Sequence, residues 1–214
     1  MTLGHDIRAI FRVQGKHDWL DGFRRAGCAF ITTLCAARPT VISIAMAAQR
    51  TFTFPADLAT TTAYFRAFKK TIQSTPYLHL VKTYARNKYR ILYSATEASV
   101  YRVAFFCDIQ LAYDETRRLL RVTPLTGIPP VPTRLTFDAV TGQGDYWSQS
   151  VFQPAGARTR VRNGIKIMTR LPKRPEMVLV PDLVVKRLVE GLMKRRMQEI
   201  MDAMIAGAIE ELQP

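Results

Sequence analysis

The chain has 214 residues, enough for one domain with a substantial core and cramped for two. Its 48% hydrophobic and 22% charged content is that of a globular protein and excludes disorder of the whole chain. Thirty-one Lys and Arg against 17 Asp and Glu give +14, a surface that attracts phosphate on nucleic acid or anionic lipid, or one that merely keeps the protein soluble.

Residues 1–46 carry a net +3, residues 47–180 a net +12 and residues 181–214 a net −1, so the excess sits in the middle segment. In the first segment, Arg24-Arg25 precede an apolar run from Ala26 to Ala37, closed by Arg38-Pro39. That run is short of the ~20 residues that span a bilayer. Three readings stay open: a targeting segment of signal, twin-arginine or transit type, an upstream extension of a chain that starts at Met46, or a folded element. The expected organisation is a poorly ordered extension over 1–46 and one domain over 47–214. The expected setting is the cytoplasm or a membrane periphery, with export or organelle targeting by the extension as the alternative. Cys28, Cys35 and Cys107 are odd in number and form no CxxC, which fits a reducing compartment.

Gln49–Phe54 alternates and predicts a short strand. Asp57 suits a helix N-terminus, and Leu58, Thr61, Thr62, Phe65, Phe68 and Ile72 then recur at helical spacing, predicting one helical segment before Thr75-Pro76. From Tyr77 to Leu171 the period is two. Strands are expected over Leu78–Ala85, Tyr89–Glu97, Val103–Tyr113 and Leu119–Pro124, with turns at Arg86-Asn87-Lys88, Ala98-Ser99 and Asp114–Arg117. Residues 125–144 hold three Gly and three Pro and predict an irregular connection, with a short strand in Arg134–Ala139 and a turn at Gly142-Gln143-Gly144. Asp145–Gln153 and Ala157–Leu171 predict a hairpin closed at Pro154-Ala155-Gly156. Residues 181–212 return to helical spacing through Val185, Leu188, Leu192, Met193, Met197, Ile200, Met201, Met204, Ile205, Ala208 and Leu212. A meander of six or seven strands curls, and a helix nearly 50 Å long, at ~1.5 Å per residue, is its natural cover. The predicted fold class is α+β.

This order, carried by Arg50-Thr51-Phe52-Thr53-Phe54-Pro55-Ala56-Asp57-Leu58, the meander and the Pro181-to-Leu212 helix, resembles the START-like (SRPBCC, helix-grip) superfamily of polyketide cyclase, lipid-transfer and coenzyme Q-binding proteins. Within it the chain looks most like the uncharacterised DUF1997 group of plastid-bearing and photosynthetic organisms. The resemblance covers residues 47–212. It implies a curved antiparallel sheet wrapped around the C-terminal helix, with a cavity between them for a lipid, sterol, quinone or polyketide. It departs from the superfamily in its first helical segment, which commonly splits in two, while Ser74-Thr75-Pro76-Tyr77 leaves little room for a second piece. The superfamily has no invariant catalytic motif, so it assigns no catalytic residue here.

The residues themselves agree on chemistry. The histidines are His5, His17 and His79, and no HExxH, CxxC or GxSxG pattern is present, so no catalytic residue, metal site or cofactor is expected. His79 reads as structural or surface, and Asp108, on the polar side of its strand, reads as a solvated carboxylate rather than a lone general acid. Met193, Met197, Met201 and Met204 share one helix face, which suits either plain packing or a floor that adapts to a flexible apolar ligand. With Phe105, Ile109, Tyr113, Ile165 and Ile167 they form the candidate ligand cavity. Arg158, Arg160, Arg162, Lys166 and Arg170 fall at even positions of the last strand and share one face, opposite Val161, Ile165, Ile167 and Leu171, with Asn163 the exception. Lys173 and Arg174 extend that basic ladder, which suits an anionic membrane better than nucleic acid, since no regularly interleaved aromatics accompany it. The expected function is binding or transport of an apolar small molecule with docking on anionic membranes. The alternatives are a cyclase or aromatase using the same cavity, and a nucleic-acid-associated basic protein.

Overall fold

The computed structural model describes residues 41–97, 101–173, 177 and 179–212. Its elements are β1 (Val41–Phe54), α1 (Leu58–Arg66), α2 (Phe68–Gln73), β2 (Leu78–Ala85), β3 (Lys88–Glu97), β4 (Tyr101–Asp114), β5 (Leu119–Pro124), β6 (Arg134–Leu135), β7 (Ala139–Ala155), β8 (Arg158–Pro172) and α3 (Asp182–Leu212). The strands form one curved sheet in the order β1-β8-β7-β5-β4-β3-β2, with β6 beside β7. All neighbours are antiparallel except β4 and β7, which pair in parallel from Arg102↔Ala139 to Phe106↔Gln143, beyond the end of β5. With α3 against one face, this is the helix-grip α+β architecture.

The first strand begins earlier than its alternation predicts. Val41 already pairs with Pro172 of β8, and Ile42, Ile44 and Met46 are buried in the core. The expected boundary after Met46 therefore falls inside β1. Its apolar first half masks the two-residue period, because alternate small residues (Ser43, Ala45) give little polar contrast. Arg24-Arg25 and the Ala26–Ala37 run lie outside the described residues, as does the turn expected at Ala98-Ser99.

The single helix expected after β1 is two. Asp57 caps α1 by accepting from the Thr60 amide at 2.7 Å. At Ala67 the amide bonds to both Ala63 and Tyr64 carbonyls and the backbone leaves helical geometry. The break aims two rings at different parts of the sheet: Phe65 meets Phe152 of β7 edge-on at 5.4 Å, and Phe68 stacks on Tyr89 of β3 at 5.4 Å.

The connection around 125–144 is shorter than predicted because β7 starts at Ala139. Gly142 and Gly144 are strand residues facing the interior, not a turn. A Cβ on Gly144 would come within 3.0 Å of the Phe105 ring and 3.4 Å of Cys107 Sγ. Glycine there lets β7 close on the aromatic side of β4. The tight turns fall where expected, with Asn87 (φ 63°) and Gly156 (φ 66°) in the left-handed region.

Candidate functional site

The inner face of the sheet and the buried side of α3 enclose one apolar interior. Phe105, Ile109, Ile165, Ile167, Met193, Met197 and Met201 belong to its buried core, and Tyr113 and Met204 pack against it half-buried. All nine residues of the candidate cavity therefore belong to, or pack against, one hydrophobic core. Tyr93 stacks on Phe105 with ring centroids 4.5 Å apart, and Tyr113 meets Phe152 at 6.4 Å.

Among the described residues, two polar atoms in this interior have no partner: the Tyr93 hydroxyl and Asn163 Oδ1. Burying a polar group unpaired costs about 1–3 kcal/mol, so each calls for a reason. Asn163 Nδ2 donates to Ser150 Oγ at 2.7 Å and leaves its carbonyl oxygen bare. Asn163 pairs in register with Arg50, whose guanidinium reaches Asp202 of α3 at 3.1 Å. Tyr93 lies beside a second polar group. There Arg196 of α3 holds Glu97 through Nε at 3.0 Å, and its Nη1 donates to Glu199 at 2.7 Å and to the Tyr77 hydroxyl at 2.8 Å. Tyr77 adopts φ 65°, strained for a bulky residue, and is pinned by those bonds and by Arg196 over its ring at 4.8 Å. Burial pushes the Tyr93 phenol well above its ordinary value, with Glu97 adding to the rise, so it keeps its proton and is available as a donor. Along α3, Met197 and Met201 sit between Arg196 and Asp202, the residues that mark the two levels.

Sequence reading missed Tyr93 as a polar anchor, because its strand position marks it only as an inward aromatic. Asn163 did leave a signal, as the break in the apolar side of β8. The Arg196–Glu97 pair joins residues 99 positions apart and left none.

The outer face is different. Arg158, Arg160, Arg162, Lys166 and Arg170 project from it, exposed, while Thr159, Val161, Asn163, Ile165, Ile167, Thr169 and Leu171 turn inward. None of the five cations has a carboxylate partner among the described residues. Lys173 does not extend the ladder. It is buried, with its ammonium 2.7 Å from Asp182 at the start of α3. Arg174 lies outside the described residues. His79 is exposed on the edge strand β2.

Asp108 is not solvated. It is 4% exposed, beneath the loop that follows β5. Arg90 grips it with Nε at 2.7 Å and Nη2 at 2.8 Å, Tyr84 donates at 2.7 Å, and Gln143 Nε2 lies at 3.2 Å. Arg90 also bonds the Pro129 carbonyl at 3.1 Å, and Gln143 accepts from the Val131 amide at 3.1 Å, so the cluster anchors the loop. Burial alone would raise the Asp108 carboxyl. The bonds from Arg90, Tyr84 and Gln143 outweigh it and hold the group below its ordinary value. Its residues come from four strands, and that spacing in sequence hides the cluster. Among the described residues no group of three potential ligands could hold a metal ion, and no helix is long and apolar enough to cross a membrane.

No protein-family model matches the chain, and no curated protein matches it in sequence. Solved structures match its fold. A Thermus thermophilus protein is 14% identical, with TM-score 0.50, over 78% of this chain and 100% of its own. The Zhui aromatase/cyclase of a Streptomyces species is 10% identical, with TM-score 0.51, over 79% of this chain and 96% of its own. A START superfamily protein of Mycobacterium smegmatis is 14% identical, with TM-score 0.47, over 78% and 99%. The fold shared with the first two is a helix grip, a curved antiparallel sheet closed by a long C-terminal helix.

Proposed function

We propose that this START-like chain binds an apolar small molecule between its sheet and α3, and that the ligand carries polar atoms for the Tyr93 hydroxyl and Asn163 Oδ1. The unpaired burial of those two atoms is the observation that carries the reading. A ligand oxygen accepting from Tyr93 and a hydroxyl donating to Asn163 would satisfy both, while the methionines of α3 shift rotamer to admit its body. Lipids, isoprenoids, quinones and polyketide-like molecules fit this description. Native mass spectrometry of gently extracted protein tests it, together with uptake of a fluorescent fatty acid or retinoid. Co-purified ligand, and uptake lost on Asn163→Leu without loss of fold, support the reading. Absence of any ligand and of any uptake sinks it.

Docking on anionic membranes through the β8 ladder belongs to the same reading. Its support is the row of five exposed cations without acidic partners. Arg158→Gln, Arg160→Gln and Arg162→Gln together should weaken binding to anionic vesicles by ~1 kcal/mol for each charge near the surface, more at low salt. Vesicle binding that is absent in the parent, or unchanged in the variant, excludes it.

A cyclase or aromatase reading has one observation in its favour. Tyr93 is a protonated phenol inside the interior, placed to hydrogen-bond a substrate carbonyl. Turnover of a poly-β-ketone chain that disappears in Tyr93→Phe would establish it.

A further inference from the structure

On the side of the sheet away from α3 lies a trough of about 530 Å³ that crosses β1, β8, β7 and β5. That volume is in the range of small-molecule sites. Gln49, Gly164, Gln149 and Arg121 pair in one row across the four strands, and Ala47, Lys166 and Trp147 form the next. At about 4.8 Å between strands, the first row spans roughly 14 Å. These side chains point outward, since Val122 and Ile165 between them are buried on the inner face. Gly164 is the floor: with no side chain at that place, the row dips between Gln49 and Gln149.

The chemistry of the lining is one-sided. Two cations, two amides and an indole face the trough, and no carboxylate among the described residues lines it. Lys166 holds its ammonium 5.2 Å from the centre of the Trp147 ring. Gln49, Gln149 and Arg121 have no side-chain hydrogen bond or ion pair among the described residues. A merely solvated strand face would carry mixed charge on a raised surface. Here the donors border a depression beside an aromatic face.

We propose that this trough is a second binding site, distinct from the interior, for a ligand with a phosphate group joined to a flat or apolar body. Arg121 and Lys166 supply the charge, and Gln49 and Gln149 add donors. Together they offer more hydrogen-bond donors than a carboxylate's two oxygens use, and they suit the three terminal oxygens of a phosphomonoester. Trp147 takes the body. A soluble phosphomonoester and a phosphatidic-acid headgroup share this chemistry.

The chain has two tryptophans, so Trp19→Phe in the full-length protein leaves Trp147 as the sole indole reporter. AMP and phosphatidic-acid vesicles are each titrated against its fluorescence. A saturable change with AMP identifies a soluble ligand, and one with vesicles alone identifies the lipid headgroup. The decisive variant is Gly164→Val. Its Cβ would meet nothing nearer than the Ala48 carbonyl at 4.0 Å, and valine suits a strand, so the fold should hold while the floor is filled. Because net charge is unchanged, membrane docking through the ladder should persist, whereas trough binding should weaken about tenfold or more. Arg121→Gln, off the ladder, should weaken it comparably and keeps the test open if Gly164→Val folds poorly. A Trp147 signal that is absent with both ligands overturns the proposal. So does one unaltered by Gly164→Val and Arg121→Gln, since it would then report charge alone.

Discussion

The two faces of the sheet treat buried polar groups in opposite ways. On the outer face, Asp108 is buried with every strong donor it needs: a two-pronged Arg90, Tyr84 and Gln143. On the inner face, Tyr93 and Asn163 are buried with one atom each left bare. A satisfied cluster needs no further explanation than the loop it anchors. Bare atoms in a buried interior are retained at a cost, and a ligand would remove that cost. Asp108, expected as a solvated carboxylate, instead anchors a loop, and the bare atoms of Tyr93 and Asn163 are what support a ligand in the interior.

The largest effect should come from breaking the outer cluster. Asp108→Ala leaves Arg90, whose side chain is 18% exposed, without its counter-charge and should cost about 3–5 kcal/mol in urea unfolding. Replacing both partners with apolar residues, as in Arg90→Met with Asp108→Leu, should cost less than Asp108→Ala alone. If the double variant proves the worse, the cluster is more than a compensated pair.

Acid sharpens the same point. The folded-state Asp108 carboxyl lies below its unfolded value. Its stabilisation is therefore fully present above the ordinary carboxylate range and is lost as pH falls through the folded value. Glu199, lowered chiefly by its bond from Arg196, acts in the same direction. Unfolding free energy should thus decline below about pH 4, and the decline should be shallower in Asp108→Asn. An identical acid limb in parent and variant would mean that other carboxylates dominate.

How much of this was legible beforehand follows from the range of the interactions. The alternation of β8, the cap at Asp57 and the stripe on α3 are local periodicities, and they appear as read. The start of β1 at Val41 was hidden because Ser43 and Ala45 contrast weakly with Ile42 and Ile44. The split at Ala67 follows from two rings reaching different strands, which no local pattern records. Asp108 was misread because its partners come from β2, β3 and β7, and only the sheet order brings them together. Of the interior, the nine residues expected to line a cavity were named from their faces, and all nine belong to or pack against the core. The bare atoms of Tyr93 and Asn163 could not be, since an unmet hydrogen bond is a fact of three-dimensional surroundings.

A smaller effect separates packed core from adaptable interior. Met197 and Met201 are fully buried. In a rigid core, Met197→Trp and Met201→Trp should each cost about 1–3 kcal/mol by overpacking. In an interior that opens for a ligand the rings should be accommodated, with thermal stability kept and uptake of a fluorescent fatty acid lost. Lost stability in a protein that never took up the fatty acid would return the methionines to ordinary packing.

The smallest change in stability should also have the unusual sign. Tyr93→Phe deletes one oxygen and leaves the ring stacked on Phe105. For a hydroxyl with a partner, such a deletion removes a hydrogen bond and costs about 0.5–1.5 kcal/mol. Here the hydroxyl has none among the described residues, so its removal takes away a desolvation penalty and nothing else. Urea unfolding of the ligand-free protein should show a gain of about 1 kcal/mol. Saturating ligand should then reverse the order, because only the parent can donate to it. The cycle of two proteins, each with and without fatty acid, isolates that term. A loss of stability in the ligand-free variant would show that a water already satisfies Tyr93, and the comparison between the two faces would fail at its inner half.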